Sequence, residues 1–226
     1  MTPSPLLLLS LAVVLTGLVS AALVRPVLRW LPEPEEPPTD GPKTAYASLA
    51  RHRFVLGCGL CSALAAAVAW TTLPVEVQPL WSVLSVGGVL LAAIDAGTTW
   101  LPLPLVRLVW AAMAAAALAG AALAGSWPML LRATVGAGVA GGMYFVVWWV
   151  SRGGFGFGDV RFAPLLGAAS AAESSQLLLG ALVAGSLVGG LQGLVRLVAR
   201  RRGGFPYAPA MLGGSYLAAL AQSLLR

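Results

Sequence analysis

Long apolar runs, each about the length of a bilayer crossing and separated by short polar or proline-bearing breaks, repeat along this chain from Pro5 almost to its end. A hydrocarbon core about 30 Å thick takes roughly 20 helical residues to cross. The runs predict membrane segments at residues 5–24, 54–73, 80–95, 102–124, 129–150, 159–172, 176–199 and 206–225. Breaks fall where helix-ending residues stand: Leu73-Pro74, Gln78-Pro79, Leu101-Pro102 and Gly125-Ser-Trp-Pro128. Between the sixth and seventh segments only Ala172-Glu-Ser-Ser-Gln176 interrupts the pattern. The expected fold class is all-α: a polytopic transmembrane helix bundle of about eight helices, built as a single integral membrane domain over residues 1–226.

Composition agrees with that pattern. Apolar residues make up 58% of the chain and charged residues 10%, against roughly 25% charged in a soluble domain. The net charge of +6 would suggest nucleic acid only if the basic residues formed one face of a soluble fold. They sort by topology instead, so no nucleic acid is expected and the partner is the lipid bilayer. If the helices alternate from an outside N-terminus, Arg25, Arg29, Lys43, Arg51, Arg53, Arg107, Arg152, Arg161, Arg196, Arg200, Arg201 and Arg202 all fall on the cytoplasmic side. Only Arg132 and Arg226 fall outside, a twelve-to-two bias of the kind that sets membrane orientation. Met1-Thr-Pro-Ser4 places no positive charge ahead of the first apolar run, whereas Arg25 and Arg29 follow it. A secretory signal has the reverse order, so a retained helix with its N-terminus outside is expected.

The connection at residues 25–53 includes Leu31-Pro-Glu-Pro-Glu-Glu-Pro-Pro-Thr-Asp-Gly-Pro42, too rich in Pro and Glu to bury a core, and is expected to be a mostly extended cytoplasmic link. Cys58 and Cys61 form one C-x2-C inside an apolar run, with His52 the only histidine. A structural zinc site takes four ligands, so no metal or cofactor is expected and the pair reads as buried small residues of a helix. Gly138 and Gly142, Gly185 and Gly189, and Gly189 and Gly193 are each four apart, the spacing at which small residues let helices approach closely in lipid.

The acidic residues locate the chemistry. Glu33, Glu35, Glu36 and Asp40 lie in the first connection, Glu76 and Glu173 in outside turns. That leaves Asp95 and Asp159 at junctions of apolar segments, where an ionisable group costs a few kcal/mol and ordinarily marks a functional site. Asp95 ends an outside-to-inside segment and Asp159 opens an inside-to-outside one, so both belong at one cytoplasmic depth. Two carboxylates sharing a poorly solvated site are expected to share a proton, one acting as base and the other as acid, which is how aspartic proteases activate water. Asp159 follows Gly153-Gly-Phe-Gly-Phe-Gly158, and glycine there permits close backbone approach and unusual dihedrals. As an alternative to catalysis, Asp159 suits a helix N-cap. Asp95 has no such structural reason, since negative charge is disfavoured near a helix C-terminus.

Three stretches resemble the bacterial type IV prepilin peptidases, which belong to the G-x-G-D membrane aspartyl proteases. They are Asp95-Ala-Gly-Thr-Thr-Trp-Leu-Pro102, Gly156-Phe-Gly-Asp159-Val-Arg161 with Leu165-Leu-Gly167, and Phe205-Pro-Tyr-Ala-Pro209 with Gly213. Together they cover about residues 80–225, which makes 80–226 the expected peptidase core behind an N-terminal helical region, 1–79. The resemblance implies a multi-pass enzyme of the bacterial cytoplasmic (inner) membrane. Its expected activity is removal of the basic leader from type IV pilin or pseudopilin precursors at the cytoplasmic edge of the apolar pilin helix. Asp95 and Asp159 match the family's catalytic aspartates, with Gly156, Gly158, Arg161 and Pro102 in supporting places.

The departures are specific. The family commonly has Lys where Arg161 stands, and Asn where Leu103 stands. Bifunctional members carry two cysteine pairs in the first cytoplasmic loop, associated with methylating the new N-terminus. Residues 25–53 hold no cysteine, so a short form without a methyltransferase insert is expected. Paired intramembrane carboxylates also serve proton- or cation-coupled transporters, which would need a polar pathway to the opposite face. A non-catalytic pilus assembly protein could use the same fold as a docking surface.

Overall fold

A computed structural model describes residues 4–33, 44–152, 156–200 and 205–225, and among them every regular element is helical. The helices are α1 (Pro5–Trp30), α2 (His52–Thr72), α3 (Gln78–Val83), α4 (Val89–Thr98), α5 (Leu103–Ala124), α6 (Trp127–Val150), α7 (Phe157–Glu173), α8 (Ser175–Val198) and α9 (Ala208–Leu224). A π turn, Leu84–Gly88, joins α3 to α4 in one continuous rod. Short 3-10 turns occupy Tyr46–Leu49 and Val75–Val77.

Local chemistry explains the ends. Ser4 caps α1 by accepting the Leu7 N–H at 3.3 Å, with proline following at the first helical position, where its missing N–H costs nothing. Gly125 closes α5 in the left-handed conformation at φ 57°, which glycine adopts without a Cβ clash. The α7–α8 break is one residue wide. Ser174 ends α7 and also caps α8, its Oγ accepting the Leu177 N–H at 3.1 Å.

Among the described residues, six helical stretches are long and apolar enough to cross a membrane: Leu6–Trp30, His52–Thr72, Val75–Thr98, Leu103–Ala124, Trp127–Val150 and Ser175–Val198. The remaining two of the eight expected segments correspond to α7 and α9, each of 17 residues. At 1.5 Å per residue each reaches about 26 Å, short of a full hydrocarbon core. α7 compensates by position, since nearly all its side chains beyond the first turn are buried among neighbouring helices. Leu123, Leu131 and Leu187 stand on the outer surface of the bundle, as a lipid-facing exterior requires.

The first connection differs from expectation. α1 continues through Arg25 and Arg29 to Trp30, and the turn Tyr46–Leu49 folds back against α1 and the end of α4 rather than running extended. The acidic stretch from Pro34 to Lys43 lies outside the described residues. Cys58 is buried as expected, but Cys61 is exposed on the outer face of α2.

The glycine pairs also need correction. Among the described residues, Cβ atoms at Gly138, Gly142 and Gly193 would meet nothing within 4 Å, so those glycines mediate no close helix contact there. The tight α6–α7 seam is formed by Gly136 and Gly167, each standing against the other's backbone with Ala140 and Ala171 alongside. Gly185 does pack closely, against Gly214 and Met211 of α9, and Gly189 packs against Tyr207. A third seam brings Gly17 of α1 to 3.0 Å from the Gly59 carbonyl for an added Cβ, and Ser62 Oγ donates to Ser20 Oγ at 2.8 Å beside it. Small residues on both sides let backbones approach where lipid offers no hydrophobic drive.

Candidate active site

Five chain segments converge at one end of the bundle: the last turn of α4, the Leu101-Pro102 link, the C-terminal part of α6, the start of α7 and the start of α9. Asp95 lies in the last turn of α4 and Asp159 in the first turn of α7. They are the only buried carboxylates among the described residues, 4% and 6% exposed. They lie near enough for the charge of one to act on the other.

The setting of Asp95 depends on how α4 is wound and ended. The π turn puts one more residue into the rod than α-helical winding would, rotating everything after it by about 100° relative to α3. The rod is fixed on its buried side: Trp81 Nε1 donates to the Ala169 carbonyl at 3.2 Å, and Ser85 Oγ pairs with Tyr216 Oη at 2.9 Å. Beyond Asp95 the helix closes on Thr99, held left-handed at φ 58°, whose N–H donates to the Asp95 carbonyl at 2.7 Å. A β-branched residue in that conformation is strained by about 1–3 kcal/mol, a feature that clusters at functional sites. The side chain of Asp95 is held from another helix: the Ala208 N–H, first of α9, donates to Asp95 Oδ2 at 3.1 Å.

Asp159 is the third residue of α7, and Gly156 is the cap. The N-cap position that Asp159 would also suit is taken by the glycine, and the carboxylate folds back over it. A Cβ at Gly156 would stand 3.2 Å from Asp159 Oδ2. Gly156 has φ −70°, an ordinary value, so it serves close approach rather than unusual dihedrals. Gly158 does the same on the other side, where a Cβ would sit 3.3 Å from Leu101. Leu101 thus packs directly on the G-x-G-D turn, and Pro102 beside it is buried as the N-cap of α5.

Arg161 takes a different place from its sequence neighbours. Its guanidinium lies over the Phe157 ring at 4.7 Å, and its carbonyl accepts the Trp110 Nε1–H at 2.9 Å. Phe157 in turn meets Trp148 of α6 at 4.9 Å between ring centroids. Arg161 therefore anchors the first turn of α7 to α5 and α6. Gly213, noted with the third motif, faces open space, with nothing within 4 Å of an added Cβ.

Residues without a sequence signal complete the site. Tyr144 of α6, buried, feels the charge of Asp159 and hydrogen-bonds with Tyr207 and with Ser186 of α8. The Tyr144 and Tyr207 rings lie 6.1 Å apart. Tyr207 stood in the sequence as part of a motif but without a role, and Tyr144 was one apolar-segment aromatic among several. The Ala208 N–H is a backbone group, which carries no residue-type signature. No family model, curated protein or solved structure matches this chain.

Proposed function

We propose that this chain is a membrane aspartic endopeptidase that removes the leader peptide from type IV pilin or pseudopilin precursors at the cytoplasmic face of a bacterial inner membrane. The observation that carries this reading is the meeting of Asp95 and Asp159, two buried, mutually interacting carboxylates delivered by different helices to one end of a membrane bundle. The three matching motifs meet there too, through the Gly158–Leu101 and Asp95–Ala208 contacts.

A water held between the carboxylates attacks the scissile carbonyl carbon. One aspartate takes the water's proton while the other gives its own to the carbonyl oxygen, forming a gem-diol. The C–N bond then breaks as a proton passes to the leaving nitrogen. The N–H of Ala208 holds the Asp95 carboxylate in place through Oδ2, and the two aspartates divide the roles of base and acid between them.

The topology follows the arginines. Arg29, Arg51, Arg53, Arg152, Arg196 and Arg200 sit at or near the helix ends on the dyad side of the bundle, which supports a cytoplasmic site and an external N-terminus. Reporters fused after Gly203 and after Ser126 test this: the first should behave as cytoplasmic and the second as external.

The test of the activity is co-expression with a candidate prepilin in membranes, following leader removal by gel mobility. Asp95→Asn and Asp159→Asn should each abolish processing and leave membrane insertion intact. Normal processing by either variant would sink the two-aspartate mechanism.

A further inference from the structure

Tyr207 touches both halves of the dyad's surroundings. Its peptide link to Ala208 carries the N–H that reaches Asp95, 3.1 Å away. Its phenol hydrogen-bonds with Tyr144, the buried tyrosine within range of the Asp159 charge. Its ring lies flush on Gly189 of α8, leaving no room for a Cβ there, and meets Phe205 at 5.8 Å between centroids. Tyr144 also borders a cavity of about 10 Å³ lined by Gly167, Met211 and Ser215, so α6, α7 and α9 meet at its ring. Tyr207 is thus clamped between α8 and α6 while it fixes the start of α9.

We propose that Tyr207 is a positioning residue for the dyad, setting Asp95 through its own peptide and the Asp159 side through its phenol contact with Tyr144. The inference rests on the aspartic-peptidase reading for its consequence in catalysis, but the placement it describes can be measured without a substrate. If segment 205–209 shifts, the hydrogen bond to Asp95 and the contact to Tyr144 move together, because one residue carries both. Small displacements matter at such a site: a misplacement of about 1 Å costs on the order of 100-fold in rate.

The experiment uses the full chain in lipid nanodiscs with two readouts. The first is cleavage of a synthetic peptide carrying a basic leader ahead of an apolar helix. The second is labelling of Asp95 and Asp159 by a hydrophobic carbodiimide, which needs no substrate. Tyr207→Phe and Tyr144→Phe keep the rings and remove only the hydroxyls. Each should lower kcat about 10- to 100-fold with KM within about twofold, and change dyad labelling in protein that remains fully folded at the assay temperature. Gly189→Ala should act in the same direction by displacing the Tyr207 ring. Gly190→Ala, one residue on, adds its methyl to open space and should match the wild type. If both phenylalanine variants match the wild type in kcat and in labelling, the proposal is overturned. Should the wild type fail to cleave the peptide, the peptidase reading fails on its own. Labelling then still decides: a change in Tyr207→Phe upholds the positioning role, and no change refutes it.

Discussion

The N–H of Ala208 donates to Asp95 Oδ2 at 3.1 Å across 113 positions of sequence, so the start of α9 holds the carboxylate at the end of α4. Both groups are buried, and the bond ties a candidate catalytic side chain to the fold itself. Asparagine at position 95 keeps an oxygen that can accept this N–H, whereas leucine does not. A buried donor left without its acceptor costs about 1–3 kcal/mol. Asp95→Leu should therefore lower the thermal midpoint clearly more than Asp95→Asn, measured side by side in the same detergent. Equal midpoints would mean that the bond contributes nothing to holding α4 and α9 together.

Gly156 has a second consequence for Asp159. A methyl in place of its hydrogen stands 3.2 Å from Asp159 Oδ2, so the carboxylate must yield by a few tenths of an ångström. Gly156→Ala should cut peptide cleavage about tenfold or more through misplacement, while the weaker cap costs no more than about 1 kcal/mol of stability. Gly142→Ala, whose methyl enters open space, is the matched control for both measurements.

The glycine seam can be tested by pairing two positions only two residues apart. Gly136 lies against Gly167 and Ala171, and any larger side chain there must push α6 from α7. Overpacking of this kind costs about 1–3 kcal/mol or more. Gly136→Leu should reduce folded yield and thermal midpoint sharply, and Gly138→Leu should leave both near wild type. Comparable behaviour of the two variants would show that α6 contacts α7 through a different face.

Tyr46 gives the first connection a pH signature. Burial, and after it the neighbouring Glu33 charge, push its phenol from 10.0 up to about 12. The protonated form is thus favoured in the folded state, and the stability this provides is complete below about pH 10 and lost as pH rises through about 12. Phenolate absorbance against pH, compared with Tyr46→Phe, should place this titration near 12. A transition at the ordinary tyrosine value would show that the turn does not pack closely on α1 and α4.

Much of the architecture could be read from residue order alone, because the signals that set it are local. Hydropathy runs placed the six long spans, Pro74, Gly125 and Ser174 ended helices where their own backbone or side-chain chemistry demands an end, and Pro102 set the start of α5. Asp95 and Asp159 stood out because an acidic side chain inside apolar surroundings is costly whatever surrounds it in space. Contacts made across the bundle were not available in that way. Gly138 and Gly136 have the same composition and nearly the same place in the chain, but only Gly136 faces α7. The π turn at Leu84–Gly88 rotates the face that Asp95 presents, and Tyr144 reaches the Asp159 side only because α6 lies along α7. The hydrogen bond that anchors Asp95 comes from a backbone N–H, a group every non-proline residue has, so only the packing of α4 on α9 could select the one at Ala208.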